Sequence, residues 1–96
     1  DKMLEIKDLV KRWQDKLEIP EWDITLESIH PKQIEYNGEK YFIGITRDFK
    51  NKIGVIYHDI DLYEEAIIHE LLHVRYPTRS EYWVNKESKK LLKNDR

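Results

Sequence analysis

The chain has 96 residues, of which 40% are hydrophobic and 38% are charged, and its formal net charge is −2. This size supports one domain with one modest core, and the balanced charge excludes the basic stripe that nucleic-acid-binding proteins carry. The absence of cysteine excludes disulfides, thiolate metal ligands and cysteine nucleophiles. No apolar run approaches the roughly 18 residues of a membrane span, and no signal-peptide pattern opens the chain. We therefore expect a cytoplasmic protein that binds neither nucleic acid nor membrane.

One helical pattern and several strand patterns occupy the first part of the chain. Apolar residues recur at helical spacing over residues 3–17, before Pro20, which predicts an N-terminal helix. Asn37-Gly38 lies between two short apolar runs and predicts a tight β-hairpin, because its primed turn needs positive φ angles. Alternating or β-branched residues predict strands over 22–29, 40–46 and 53–57, with a polar turn over 47–52.

Two helices are predicted after the strands. Asp61 precedes a run of apolar residues and Glu64 stands three residues later, which is the pattern of a capping box. This helix is expected to end near Tyr76, before a proline. Ser80 is expected to cap a last helix over residues 81–92. The order predicts an α+β fold with an N-terminal helix, a small, mostly antiparallel sheet of three or four strands, and two C-terminal helices.

The most informative pattern is His69-Glu70-Leu71-Leu72-His73. Histidines four positions apart on a helix lie one turn above each other, about 6 Å apart, so both imidazoles can reach one ion. Imidazole is a good zinc ligand, and Glu70 would project beside the ion, where it can take a proton from water. The pattern predicts one catalytic Zn²⁺ ion held by His69 and His73, with Glu70 as general base and acid. The alternatives are two ordinary half-buried histidines or a structural or regulatory zinc site.

A catalytic zinc site usually has a third protein ligand and one open position. The downstream candidates are Glu81 and Glu87. A returning antiparallel helix that rises about 1.5 Å per residue reaches the level of the metal near residues 81–84, which favours Glu81, with Asn85 as its supporting partner. His58 is a further alternative ligand, and His30 is expected at the surface. Candidate donors to a developing oxyanion lie among four tyrosines, and the alternative for each is a packing role: Tyr57, Tyr63, Tyr76 and Tyr82.

With this element order and an HELLH helix, the chain resembles the minigluzincins, which are minimal soluble relatives of the thermolysin-like gluzincins. The specific part of the resemblance lies in residues 61–77. The resemblance implies zinc ligation by His69 and His73, the base and acid role for Glu70, and a third ligand from the next helix, which points to Glu81. The separation of His73 and Glu81 is shorter than in the larger gluzincins. Members of the family are found as latent zymogens blocked by their own C-terminal segment.

These features together predict one catalytic domain over residues 1–96, a zinc metalloendopeptidase that hydrolyses peptide bonds in a peptide or protein substrate. We expect an exposed sheet edge at Ile53 to Tyr57 to hold the peptide by strand addition. The alternatives are a catalytically silent zinc-binding or regulatory module and a toxin–antitoxin or DNA-transfer accessory protein. The segment 78–96 is either a solvated helix end or an inhibitory tail. Its short hinge invites a homodimer by exchange of the C-terminal helix.

Overall fold

Three helices and three strands make up the part of the chain that the computed structural model describes, residues 2–30 and 42–95. The predicted α+β class is confirmed. The predicted Asn37-Gly38 hairpin and the start of the predicted 40–46 strand lie outside the described residues. None of the described helices combines the length and the apolar character that a membrane span requires. The elements in chain order are α1 (Lys2–Lys16), β1 (Asp23–Ser28), β2 (Ile43–Asp48), β3 (Ile53–His58), α2 (Glu64–Arg75) and α3 (Glu81–Asn94).

The strands form one mixed sheet in the order β1-β3-β2. β3 is the central strand and pairs parallel with β1 and antiparallel with β2. The expectation of a free edge at Ile53 to Tyr57 is therefore wrong, because β3 has a hydrogen-bonded neighbour on each side. Within the described part of the chain, β1 and β2 are the edge strands.

The backbone of β2 leaves a row of polar groups at its free edge. The carbonyl of His58 accepts a hydrogen bond from the N–H of Ile29, which follows β1. Residues of β3 alternate between their two neighbours, so the odd-numbered ones bond to β2. The β2 residues opposite these odd-numbered positions direct their N–H and C=O groups to β3. The alternate β2 residues direct their N–H and C=O groups away from the sheet. These alternate residues are Ile43, Ile45 and Arg47.

Helix α2 is the centre of the core and contacts β2, α1 and α3. Four aliphatic residues on its back are fully buried, and each such side chain contributes about 1.5–3 kcal/mol to folding. His69 and His73 lie on the other side of the helix and remain partly exposed. α2 thus has an apolar back and a histidine stripe. The fully buried residues of α2 are Ile67, Ile68, Leu71 and Leu72.

The start of α2 differs from the prediction. The helix begins at Glu64, its N-cap residue is Tyr63, and no side chain caps it, so the predicted Asp61–Glu64 capping box is wrong. Glu64 instead accepts a hydrogen bond of 2.8 Å from the indole N–H of Trp13. Its carboxylate therefore joins α2 to α1. Leu62 is buried in the core and anchors the extended segment that leads into the helix.

Helix α3 is held at both ends. The hydroxyl of Ser80 accepts a hydrogen bond of 3.1 Å from the N–H of Trp83, which confirms the predicted cap. At the other end, Asp95 accepts a hydrogen bond of 2.7 Å from Arg12 and lies 2.6 Å from the ammonium nitrogen of Lys16. Both cations belong to α1. The bond at the first end is local to α3, whereas the contacts of Asp95 tie the second end to α1.

Candidate metal centre

Three of the predicted metal ligands meet at one point. Nε2 of His69 and Nε2 of His73 lie 3.3 Å apart, and Oε1 of Glu81 lies 2.9 Å from the first and 2.6 Å from the second. The histidines lie on successive turns of α2, and Glu81 is the first residue of α3. The short connection between these helices brings the carboxylate back to the histidine stripe. His69, His73 and Glu81, hereafter the ligand group, could hold a metal ion.

The ligand group fits a four-coordinate ion. Metal–nitrogen bonds of about 2.0–2.1 Å separate two nitrogens by about 3.3–3.4 Å in a tetrahedron, and the two Nε2 atoms are 3.3 Å apart. The Glu81 oxygen lies closer to both nitrogens than such an ion would allow, because it hydrogen-bonds to them directly. A small outward movement of this exposed side chain makes room for an ion. Two nitrogens and one oxygen then leave one position open.

The contacts within the ligand group define how it exchanges protons. A carboxylate oxygen only accepts hydrogen bonds, so His69 and His73 each present an N–H at Nε2 to Glu81. Burial raises the pKa of Glu81, but the hydrogen bonds and charges of His73 and His69 outweigh this effect and lower it overall. The neutral tautomer with its proton on Nδ1 leaves Nε2 free, so each imidazole can exchange its contact with Glu81 for a bond to an ion.

Glu70 lies beside the ligand group in the same pocket. Its side chain is buried, with only 6% of the residue exposed. Burial, helped by the negative charge of Glu81, raises the pKa of Glu70 to about 8, while the charge of Arg47 opposes the rise. A carboxyl group whose pKa lies near neutral pH is suited to proton transfer. A cation in the ligand group would favour the ionised form of Glu70 and lower this pKa.

The pocket that opens onto the ligand group has a volume of about 270 Å³. α2 and the first residue of α3 form one side of it, and the edge strand β2 forms the other. A cavity of about 580 Å³ lies between α1 and β1, but none of the predicted site residues lines it. The smaller pocket is therefore the one that combines space with reactive groups. Its lining residues are Ile43, Gly44, Ile45, Arg47, His69, Glu70, His73 and Glu81.

Comparisons with protein-family models, with curated proteins and with solved structures all returned no significant similarity. The resemblance to the minigluzincins accordingly stays a prediction from the element order and from residues 61–77. The function has to be argued from the chemistry of the ligand group and its pocket.

The alternative ligands lie elsewhere. Glu87 borders a groove on another side of α3 and lies 4.0 Å from the ammonium nitrogen of Lys90. His58 is buried at the end of β3, where its Nδ1 lies 2.7 Å from the carbonyl oxygen of Ile60. The tautomer with a proton on Nδ1 satisfies this contact, since a carbonyl oxygen only accepts. The structure thus brings Glu81, and neither Glu87 nor His58, to the two histidines.

The other predicted partners do not reach the pocket. Asn85 is exposed, and within the described residues its side chain forms no hydrogen bond to the ligand group. His30 is exposed, as expected. Among the described residues, the pocket lining contains no tyrosine, so the candidate donors Tyr57, Tyr63, Tyr76 and Tyr82 all lie outside it.

Arg47 is a pocket residue that the sequence analysis did not identify. It was assigned to a polar turn, but β2 continues to Asp48. Its Nη1 donates a hydrogen bond of 2.7 Å to the carbonyl oxygen of His73. In a longer helix that carbonyl would accept from the backbone N–H of residue 77, but Pro77 has none. The signal was thus present in the sequence: a helix that ends on proline leaves the carbonyl of its second histidine in need of a donor.

Proposed function

We propose that the chain is a zinc-dependent peptidase. The observation that carries the proposal is the meeting of His69, His73 and Glu81 beside the buried Glu70. Three protein ligands and one open position are typical of catalytic zinc sites, whereas structural sites fill all four positions. Zinc suits two imidazoles and one carboxylate, while magnesium and calcium prefer oxygen ligands alone.

Each residue of the pocket has a role in this proposal. His69, His73 and Glu81 hold the ion, and a bound zinc ion supplies activation of water and polarisation of a carbonyl group. Glu70 accepts the proton of the attacking water. It then delivers this proton to the leaving nitrogen when the C–N bond breaks. The burial of Glu70 raises its affinity for the proton that it must carry between these two steps.

The edge of β2 that no described residue pairs with supports a peptide as the substrate. The outward N–H and C=O groups of Ile43 and Ile45 lie in the strand that borders the pocket. An extended peptide can add to such an edge as a further strand, so that its backbone is held by main-chain hydrogen bonds. The role that the sequence predicts for β3 belongs to β2 in this proposal, because β3 is the central strand.

The decisive experiment compares zinc-loaded wild-type protein with Glu70→Gln on a peptide library. The amide cannot accept the proton of water, so we expect cleavage to fall by a factor of about 10² or more. Zinc stoichiometry should stay the same, since Glu70 is not in the ligand group. Glu65→Gln, five residues earlier on α2 and outside the described lining of the pocket, is the matched control and should keep full activity.

Two outcomes would contradict the proposal. If Glu70→Gln cleaves peptides as fast as the parent, Glu70 has no part in the reaction. If the zinc-loaded parent cleaves no member of the library, the chain is not a peptidase. A catalytically silent zinc-binding module would then be the better account of the ligand group.

A further inference from the structure

Arg47 presents a fixed positive charge at the wall of the pocket. Its Nη1 donates to the carbonyl oxygen of His73, and the ring of Phe49 lies 5.5 Å from its guanidinium carbon. Phe49 in turn packs edge-on against the buried Trp22, with ring centroids 5.3 Å apart. These contacts restrain the exposed guanidinium group at the wall of the pocket. Less side-chain freedom is then lost when it binds a ligand.

Arg47 takes part in none of the ion pairs found among the described residues. Its positive charge acts at longer range on the buried Glu70, where it lowers the pKa of that carboxyl. The adjacent Asp48 directs its carboxylate to the following turn, where it accepts hydrogen bonds from the N–H groups of Lys50 and Asn51, both of 3.1 Å. A guanidinium group has five N–H donors, and His73 occupies one. The remaining donors are available to a ligand in the pocket.

We propose that Arg47 recognises a carboxylate of the substrate close to the bond that is cut. The proposal rests on the peptidase function and names its substrate class. That class comprises peptides with an acidic side chain near the scissile bond, or with their free C-terminal carboxylate there. Arginine binds carboxylates through paired, charge-assisted hydrogen bonds. Because Arg47 is bonded to the backbone of His73, the recognised group lies within about one or two residues of the ion.

The charge of the whole pocket agrees with this class of substrate. Among the described residues of the lining, Glu70 and Glu81 are the acidic groups and Arg47 is the cationic side chain. A divalent ion in the ligand group makes the net formal charge of the lining positive. An anionic group on the substrate is then attracted to the pocket, whereas a cationic one is repelled.

The test uses the zinc-loaded full chain and eight-residue peptides in matched pairs. In one set a single Gln is replaced by Glu at each position in turn, and in the other the C-terminal amide is replaced by the free carboxylate. The variants are Arg47→Gln, which removes the charge, and Arg47→Lys, which keeps the charge but loses the planar fork. The control is Arg75→Gln, because Arg75 lies at the same end of α2 but borders another groove.

We expect wild-type protein to favour the acidic member of at least one pair by a factor of about 10 to 100 in kcat/KM, mainly through KM. Arg47→Gln should bring this ratio close to one, Arg47→Lys should give an intermediate ratio, and Arg75→Gln should keep the wild-type ratio. The set in which the preference appears identifies the source, an acidic side chain or the chain terminus. If Arg47→Gln fails to fold, the reduced ratio of Arg47→Lys decides.

Binding of the same peptides to zinc-loaded Glu70→Gln protein, measured by calorimetry, separates this inference from the peptidase proposal. Cleavage without any acidic preference, or a preference that survives in Arg47→Gln, overturns the role of Arg47 alone. An Arg47-dependent acidic preference in binding, with no cleavage by the parent, overturns the peptidase proposal alone. If the parent neither cleaves the peptides nor shows an Arg47-dependent acidic preference in binding, the peptidase proposal and the role of Arg47 are both overturned.

Discussion

Oε1 of Glu81 lies 2.6 Å from Nε2 of His73, across the short connection between α2 and α3. Glu81→Ala removes the oxygen of the ligand group and should weaken zinc binding by at least about 100-fold, since loss of an outer partner alone costs 10- to 100-fold. Glu87→Ala is the control, because Glu87 lies on another side of α3. Competition with a chelator measures both affinities. A larger loss in Glu87→Ala would contradict the assignment.

Zinc binding should require both His69 and His73. His73→Ala leaves one imidazole and one exposed carboxylate, which cannot complete a three-ligand site. We expect the zinc content after dialysis to fall from about one ion per chain to close to none. His30→Ala, which changes an exposed histidine away from the pocket, should retain the ion. An unchanged zinc content in His73→Ala would contradict zinc binding by the ligand group.

Glu70 should make the metal-free protein less stable as the pH rises. Its pKa is raised from 4.5 to about 8, so the folded chain keeps a proton that the unfolded chain releases in this range. The contribution of protonated Glu70 to the free energy of unfolding is complete below about pH 4.5 and is lost as the pH rises to about 8. Each unit of pKa difference corresponds to about 1.4 kcal/mol, so Glu70→Gln should gain a few kcal/mol at the upper end relative to the parent.

Urea unfolding of the metal-free parent and of Glu70→Gln at several pH values measures this effect. The parent should lose stability across the range, and the variant should show a flatter profile. Parallel profiles would mean that Glu70 ionises in the folded protein as easily as in the unfolded chain. Zinc-loaded samples provide the comparison, since a cation in the ligand group favours the ionised carboxylate.

Inhibition by residues 78–96 stays a prediction. The packing of α3 argues against it, because the segment is part of the core. Val84 is fully buried, Leu91 and Leu92 pack against the core, and Glu81 is the one residue of the segment that lines the pocket. Truncation after Trp83 removes apolar contacts of about 1.5–3 kcal/mol per fully buried side chain. We therefore expect the truncated chain to unfold and to lose zinc.

Thermal melting, zinc content and peptide cleavage of the truncated chain decide the matter. A truncated protein that stays folded, keeps its ion and cleaves faster than the full chain would establish the tail as an inhibitor. Mass measurement in solution tests the predicted homodimer separately. Exchange of α3 between two chains would place the Glu81 of one chain beside the histidines of the other.

The site was predictable where it depends on local geometry. Helical periodicity alone places His69 and His73 on one stripe of α2, and the proline that ends this helix limits how far α3 can lie from it. The rise per residue then selects Glu81 over Glu87. The Ser80 cap is equally local, because it involves a hydroxyl and an N–H three residues apart.

The features that the sequence did not reveal depend on distant partners. The parallel pairing of β1 with β3 decides that β2 is the edge beside the pocket, and no local pattern encodes that order. The capping box failed because the indole of Trp13, 51 positions earlier, engages Glu64. Arg47 was overlooked because its role depends on the carbonyl of His73, which lies 26 positions away.

Helix α3 has 14 residues, which corresponds to a stiff rod of about 21 Å. One end of the rod carries Glu81 of the ligand group, and the other end is bonded through Asp95 to Arg12 and Lys16 of α1. An ion that binds only the folded arrangement adds its binding free energy to whatever holds that arrangement together. Zinc would thus also stabilise the N-terminal helix at the far end of α3. Its removal should destabilise α1 as well as the pocket.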